Sequence, residues 1–175
     1  MIKKIKTKFS GLFVYEGKIY NDKRGNLREA FNKKDIPKNL CLSVVSKSKK
    51  DVLRGLHLQI NKPQDKIISV LKGKILDVVV DLRRNSNTFG QNFKIILSEK
   101  KARYLLIPKG FAHGFLSLDK ENIVLYSCSN LRHAKGERSI KWNDQELNIK
   151  WGIKKPIISK RDKLALSLKE FLEKN

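Results

Sequence analysis

Short apolar runs, rich in β-branched residues, follow one another at close spacing through the middle of this chain. Residues 67–71 and 75–82 are separated by the turn signal Lys72-Gly73-Lys74, so these two runs are predicted to form a hairpin. The further runs are residues 93–97, 104–107, 111–118 and 123–128. Many short strands at such spacing predict an all-β barrel or a double-sheet jelly roll.

The two ends of the chain differ from this pattern. Residues 28–34 are predicted to form a short helix or to lead into a strand. After Lys160, apolar residues recur at helical spacing, which predicts an amphipathic C-terminal helix packed on the barrel. No repeat or linker interrupts the 175 residues, so we expect one domain over residues 1–175. The apolar side of the predicted helix comprises Leu164, Leu168, Phe171 and Leu172.

The core is predicted from the same runs. Residues in the middle of each apolar run are expected to be mostly buried, and Trp142 and Trp151 to cover the end of the barrel. The predicted core residues are Val70, Leu76, Val78, Val80, Ile95, Leu105, Ile107, Phe115 and Leu125.

The charge balance is strongly basic, with 39 Lys+Arg against 17 Asp+Glu and a formal net charge of +22. Such an excess predicts attraction to polyanions or to anionic small molecules. A nucleic-acid-binding protein would add a basic stripe and a recognisable module, and neither is visible, so nucleic-acid binding is a minor hypothesis. We find no signal-peptide pattern and no apolar run long enough to span a membrane. With Cys41 and Cys128 at no metal-like spacing, we expect a cytoplasmic protein with reduced thiols in strands.

Histidine is scarce, and His57 stands in a run where apolar and polar residues alternate. His57 and Gln59 therefore share one face of a predicted strand, while Leu56 and Leu58 share the other. A ligand-filled lumen would give His57 a chemical role, whereas a hydrogen-bonded structural histidine would fit the pattern equally well. The pattern alone leaves both interpretations open.

The other two histidines differ in their surroundings. His113 lies between Gly110 and Gly114, which suits either close approach of a ligand to the backbone or a tight turn with a core histidine. His133 lies in a polar stretch and is predicted to be a loop residue. A metal site on a strand would normally need a second histidine two residues after the first, where Gln59 stands here. The chain is therefore predicted to bind no metal.

Several motifs run in order along nearly the whole chain. They are Asp22-x-Arg24-Gly25, Arg54-Gly55-Leu56-His57-x-Gln59, Gln64-x-Lys66, Thr88-Phe89-Gly90, Pro108-x-Gly110-Phe111-Ala112-His113-Gly114, Ile140-x-Trp142-Asn143-Asp144 and Ser159-Lys160-x-Asp162. Taken together they resemble the dTDP-4-dehydrorhamnose 3,5-epimerase family and its relatives. The resemblance implies a cupin-type double-sheet jelly roll with a short C-terminal helix, a homodimer, and no metal or organic cofactor.

The resemblance also implies roles for individual residues. His57 would be the general base, Asp162 would orient its imidazole, and Lys66 would stabilise the enolate formed next to a ketone. The implied substrate is a 4-keto-6-deoxy sugar linked to a nucleotide diphosphate, with dTDP or GDP as the carrier, used in bacterial surface-carbohydrate synthesis. The implied substrate-binding residues are Arg24, Glu29, Arg54, Gln59 and His113.

The chain departs from the family where the opposing acid is expected. The family has a tyrosine in the stretch that here contains Leu131 and Arg132, and neither residue is a useful proton donor. Two replacements are candidates, His133 and Tyr126, although Tyr126 matches a different family position. In the pocket, Leu27 replaces an aromatic residue, and residues 42–44 replace a polar stretch.

These departures leave several hypotheses. The chain is an epimerase acting at C3 alone, or one acting at C3 and C5 of a different sugar or nucleotide. The alternatives are a sugar-nucleotide-binding module that has lost turnover and a 3,4-ketoisomerase on the same fold, which would usually carry a histidine where Gln59 stands.

Overall fold

The chain folds as two antiparallel β-sheets that face each other, in a computed structural model that describes residues 2–34, 36 and 39–175. Strands β1 to β13 are Lys3–Lys6, Phe13–Glu16, Tyr20–Asp22, Gly25–Leu27, Leu42–Lys49, Leu53–Gln59, Lys66–Lys72, Lys74–Asp81, Asn92–Ser98, Arg103–Ile107, Phe111–Ser117, Glu121–Cys128 and Glu137–Ser139. Helices α1 and α2 are Lys160–Lys163 and Leu168–Lys174, and a 3₁₀ turn spans Ala134–Gly136.

The strand order defines a double-sheet jelly roll. Sheet I has the order β1-β2-β10-β7-β12-β5, and sheet II has the order β13-β6-β11-β8-β9. Strands β3 and β4 form a separate two-stranded hairpin over residues 20–27, called the arm below, in which every residue is exposed. The predicted all-β jelly roll is confirmed.

The predicted hairpin between residues 67–71 and 75–82 is wrong. Strand β7 pairs with β10 and β12 in sheet I, whereas β8 pairs with β11 and β9 in sheet II. The chain crosses between the sheets at Gly73, whose φ is 78° and where a Cβ would lie 2.3 Å from the Glu121 carbonyl oxygen. A glycine turn signal marks a reversal of the chain, but it does not say whether the next strand stays in the same sheet.

Apolar layers cover both faces of each sheet. One cluster lies between the sheets and contains Val70, Leu105 and Phe115. The C-terminal segment covers the outer face of sheet II, and Ile36 with Phe31 and Leu40 covers that of sheet I. Because both faces are covered, the central strands read as continuous apolar runs.

Most of the predicted core residues are buried. Val70, Val78, Val80, Leu105, Ile107 and Phe115 are buried, whereas Leu76, Ile95 and Leu125 are partly buried. Trp151 is buried and donates its indole N–H to the Trp142 carbonyl at 2.7 Å. Both tryptophans pack on the outer face of sheet II, so the prediction that they cover an end of the barrel is wrong.

The predicted C-terminal helix is split in two within the described chain. Ser159 caps α1 and Ser167 caps α2, the latter in a capping box with Glu170, so a new helix starts where one continuous helix was expected. Between them, Leu166 forms a bridge with Ile140. Leu164 is 83% exposed instead of buried.

The prediction for residues 28–34 also fails, because they form an irregular segment instead of a helix or a strand entry. Arg28 ties this segment to sheet I by donating to the carbonyl groups of Val70 and Lys101. Within the described residues, no helix is long and apolar enough to cross a membrane.

Candidate active site

A cavity of about 630 Å³ opens between the two sheets. Sheet II contributes β6 to its lining, sheet I contributes β5, β7 and β12, and the C-terminal segment closes one side. The polar residues of the lining that matter below are Arg54, His57, Gln59, Lys66, Tyr126 and Asp162. The predicted alternation along β6 is confirmed, since Leu56 and Leu58 are buried in the layer outside sheet II.

A β-bulge turns both Arg54 and His57 toward the cavity. His57 is opposite His113 and Arg54 is opposite Phe115, so two residues of β6 face Gly114 alone. The bulge requires close backbone approach, because a Cβ on Gly55 would lie 2.5 Å from the Gly114 Cα. Glycine at both positions therefore determines where the histidine points.

His57 is held by a buried carboxylate. Its Nε2–H donates to Asp162 Oδ1 at 2.5 Å, and the His57 side chain is 34% exposed. Burial alone would raise the pKa of Asp162, but the hydrogen bond and charge of His57 outweigh it, so the pKa is lowered. The pairing with Nε2 leaves Nδ1 to accept a proton.

The carboxylate that pairs with His57 comes from 105 residues further along the chain. Asp162 lies in the one-turn helix α1, where its backbone N–H donates to Ser159 Oγ at 3.1 Å. The Ser159 cap thus fixes the position of Asp162 against β6.

Lys66 starts β7 on sheet I, which is the sheet opposite His57. Burial lowers the pKa of Lys66, and the nearby Cys128 and Glu137 oppose that shift only in part. An ammonium group in such an environment interacts strongly with any anion that develops beside it.

A cluster of cationic side chains lies among the lining residues. Arg132 Nε donates to Glu137 Oε1 at 2.7 Å, and Arg161 Nη1 donates to Glu137 Oε2 at 2.6 Å. These partners, Arg132 above all, lower the pKa of Glu137 to about 2. With Arg54, which donates to Ser48 Oγ at 3.0 Å, the arginines can bind a diphosphate.

One wall of the cavity is aliphatic. Leu42, Val44 and Ser46 alternate along β5 and line the cavity, although Val44 is 45% exposed. Val45, which follows Val44, is on the other face of the strand and is 59% exposed. The replacements noted at residues 42–44 therefore change the cavity wall itself.

His113 is buried behind the wall of the cavity in the part of the chain that the structure describes. Its Nε2 is 2.8 Å from Asp77 Oδ2, and both side chains are almost fully buried. The expectation that His113 lines the substrate site is therefore not met. Asp77 belongs to the run 77–83, which also matches the family, but its role was not predicted from the sequence, although a charged residue in an apolar run was a usable signal.

Arg24 and Glu29 are not brought to the cavity of their own chain in the described structure. Arg24 lies on the arm and forms an exposed ion pair with Asp22 at 2.6 Å. Glu29 lies after the arm, beside a smaller pocket lined by Tyr20 and Asn32.

The two candidate acids are in different places. Tyr126 lines the cavity from β12, and its burial raises its pKa. His133 lies just before the 3₁₀ turn, with its Nδ1 buried near Gly136, and it is absent from the lining that the structure describes. Arg132 lines the cavity, while Leu131 is exposed. Sequence reasoning also missed the Arg132–Glu137–Arg161 network, whose members come from a loop, from strand β13 and from helix α1.

The residues that the structure describes contain no group of three or more His, Cys, Asp or Glu side chains that could hold a metal ion. The absence of a metal remains a prediction. The chemistry available from the side chains is proton transfer.

A jelly roll that presents a His–Asp pair on one side of its cavity and a lysine on the opposite sheet defines a cupin-type acid–base enzyme. The family model described as dTDP-4-dehydrorhamnose 3,5-epimerase matches residues 6–170. The chain belongs to this family.

Individual relatives agree with that placement. The dTDP-4-dehydrorhamnose 3,5-epimerase of Methanothermobacter thermautotrophicus is 41% identical over 174 residues, covering 95% of this chain and 94% of the relative. The dTDP-6-deoxy-D-glucose-3,5-epimerase of Legionella pneumophila, solved with dTDP-4-keto-L-rhamnose, is 39% identical with a TM-score of 0.92, covering 97% and 94% of the two chains. The Bacillus anthracis dTDP-4-dehydrorhamnose 3,5-epimerase, solved with TDP and PPi bound, is 39% identical with a TM-score of 0.92. The match covers 96% of this chain and 100% of the relative.

Proposed function

We propose that this chain is a sugar-nucleotide epimerase that inverts C3 of a 4-keto-6-deoxy sugar carried on a nucleotide diphosphate. The observation that carries the proposal is the His57–Asp162 pair, held at 2.5 Å on one side of the cavity, with Lys66 on the facing sheet. The printed names of its relatives, and the sugar nucleotide bound by one of them, support this substrate class.

The proposed reaction begins with loss of the acidic proton next to the ketone. The free Nδ1 of His57 removes the C3 proton, and Asp162 stabilises the imidazolium that forms. The Lys66 ammonium stabilises the negative charge on the C4 oxygen of the enolate. In this proposal Lys66, and not a metal or an organic cofactor, stabilises the enolate.

Substrate binding divides between the two ends of the ligand. Arg54, Arg132 and Arg161 carry the charge that suits the diphosphate, carried by dTDP or GDP. Gln59 is buried in the lining and would orient the sugar. His113 would not contact the substrate but would help to position the wall of the cavity from behind.

The active form is proposed to be a homodimer of one-domain subunits. The arm exposes Tyr20 and Leu27 at 61% and 74%, which is unusual for apolar side chains in an isolated hairpin. A second subunit that covers the arm would bring Arg24 and Glu29 to the partner's cavity. The setting we propose is capsule or lipopolysaccharide synthesis in the cytoplasm, with neither nucleic acid nor a membrane as partner.

The experiment that tests the function is incubation in D₂O with dTDP- and GDP-linked 4-keto-6-deoxyglucose, followed by mass spectrometry and proton NMR. We expect deuterium at C3. The variant His57→Asn should lose this exchange while keeping its fold, and Lys141→Gln, a change at an exposed residue, serves as the matched control.

Each result separates the alternatives. One deuterium at C3 indicates an epimerase of one centre, and deuterium at C3 and C5 indicates one of two centres. A ketone that moves to C3 would indicate a 3,4-ketoisomerase. Binding without exchange would favour a sugar-nucleotide-binding module and would contradict the proposal.

A further inference from the structure

We propose that a second cavity in this fold is a regulatory site for a small organic anion with an apolar body. This second cavity has a volume of about 570 Å³ and lies where strands β6 and β8 end, beside helix α2. The inference goes beyond the proposed function, and it rests on that function only in taking a nucleoside diphosphate as the ligand of the first cavity.

Apolar side chains form much of the lining of the second cavity. Leu58, Leu82 and Phe171 are buried and belong to the apolar layer outside sheet II. Ile60 and Leu172 are partly buried and pack against the same layer. A cavity of this size with an apolar lining is typical of a site for a small organic molecule.

The charged side chains in the described part of this lining are all cationic, and they are Arg83, Arg84 and Lys109. Arg83 is already neutralised, because Asp81 accepts hydrogen bonds from its Nε and Nη2 at 2.8 and 2.7 Å. Arg84 and Lys109 are exposed, and neither belongs to an ion pair within the residues that the structure describes. Two cations without a carboxylate partner beside an apolar surface are complementary to an organic anion.

One wall of the second cavity also supports the loop over residues 130–136, which carries Arg132 into the first cavity. Gln59 lines both cavities. Its Nε2 donates to the Leu131 carbonyl at 3.2 Å, and its Oε1 accepts from the His133 backbone N–H at 2.8 Å. The side chain of Gln59 therefore fixes the backbone on both sides of Arg132.

The rest of that wall is bonded to the same loop. Asn130 Nδ2 donates to the Pro63 carbonyl at 2.8 Å, and the Ile60 N–H donates to the Gly136 carbonyl at 2.9 Å. An anion seated against this wall therefore contacts the segment that holds the loop. Because Arg132 lines the first cavity, a ligand in the second cavity changes the affinity of the first, and the reverse holds equally.

The probe for the second cavity is 1-naphthyl phosphate, with binding measured by isothermal titration calorimetry in the absence and presence of saturating TDP. We expect a binding site that persists when TDP fills the first cavity. Inorganic phosphate, which lacks the apolar body, should bind there roughly tenfold more weakly or worse.

Charge-matched variants locate the site. The double variant Arg84→Gln with Lys109→Gln should weaken the TDP-resistant binding of the probe roughly tenfold or more. The double variant Lys94→Gln with Lys100→Gln removes the same charge at exposed residues outside the lining, and it should bind the probe as the unaltered chain does.

The same titrations measure the coupling between the cavities. Saturating probe should change the Kd of TDP by about fivefold or more, and TDP should change the Kd of the probe by the same factor. The double variant Arg84→Gln with Lys109→Gln should lose this effect, whereas simple competition for the first cavity would survive it. Asn130→Ala, which removes one contact between the wall and the loop, should reduce the factor while the probe still binds.

Three results would overturn the inference: no binding of the probe while TDP is bound, unchanged binding in the Arg84 and Lys109 double variant, or a Kd of TDP that bound probe leaves unaltered. Absence of TDP binding contradicts the proposed function and, with it, the regulatory part of this inference. The titrations without TDP still decide whether the second cavity binds an organic anion.

Discussion

At the scale of single residues, the chemistry of the side chains in the cavity depends on their hydrogen-bond partners and on their burial. Asp162 accepts a hydrogen bond from the Nε2–H of His57, which leaves Nδ1 free to accept a proton. Burial lowers the pKa of Lys66, and the same cause raises that of Tyr126, because each shift favours the uncharged form. Burial in one cavity therefore shifts the pKa values of Lys66 and Tyr126 in opposite directions.

The lowered pKa of Lys66 predicts an alkaline limit to activity. Below its pKa the ammonium is present and stabilises the enolate; as pH rises through that pKa the charge is lost and exchange slows. This limb should lie below 10.5, the ordinary lysine value. Tyr126 is not its source, since its pKa is shifted upward. The measurement is the pH profile of C3 exchange.

Two variants identify the group that titrates. Lys66→Arg keeps a charge that does not titrate in this range, so the limb should disappear or move upward even if the rate falls. Lys74→Arg, at an exposed position on β8, should keep the original profile. An unchanged limb in Lys66→Arg would show that another group is responsible.

At the scale of elements, the sequence predicted the strands better than their partners. Each apolar run from residue 67 to 128 is a strand, because the covered faces demand apolar residues. The prediction of strand pairing failed at Gly73, because neither apolar run contains a signal for the sheet that it joins. The prediction of one continuous C-terminal helix failed at Ser167, because a capping box there starts a new helix despite the longer apolar pattern.

The aliphatic row on β5 predicts a preference for a sugar with an apolar edge. A hydroxyl packed against Leu42 and Val44 would be left without a partner, at a cost of about 1–3 kcal/mol. We place the C2 edge of the sugar against this wall, and on that placement the chain should favour the 2-deoxy analogue of dTDP-4-keto-6-deoxyglucose over the parent compound by roughly 10- to 100-fold in kcat/KM.

The matched variants use the alternation of that strand. The double change Leu42→Gln with Val44→Asn should reverse the preference, whereas Val45→Asn, on the opposite face of β5, should leave it alone. Competition between the two substrates in one tube measures the ratio directly. Equal use of both by the unaltered chain would refute the role of this wall.

At the scale of the whole molecule, the fold gathers only part of the site predicted from the sequence into one cavity. The sequence identified His57, Lys66 and Asp162, and the fold brings all three to one cavity. Arg24 lies on the exposed arm instead. Contacts between subunits leave no periodic pattern in a sequence, and this limits what can be predicted for the arm.

A mixing experiment tests whether the arm serves the partner's cavity. Arg24→Ala and His57→Asn should each be inactive alone. If Arg24 acts across the dimer, half of the sites in mixed dimers are intact, and a randomised equal mixture regains about a quarter of the original activity. If Arg24 acts within its own chain, the mixture stays inactive.

Sedimentation provides the control for that experiment. The unaltered chain should sediment as a dimer, and the variant Leu27→Asp on the arm should form a weaker dimer. The variant Leu164→Asp, at a residue 83% exposed after α1, should form the dimer as the unaltered chain does. A monomer at all concentrations would exclude the proposed dimer.

Asp162 follows His57 by 105 residues, and the cap that holds it begins at Ser159, after the last strand of either sheet. A ribosome releases the N-terminal part first, so both sheets can emerge before the carboxylate does. A nascent chain can thus contain His57, Lys66 and Tyr126 before it contains Asp162. The pairing of the histidine with its carboxylate has to wait until the segment from Ser159 to Asp162 has been made.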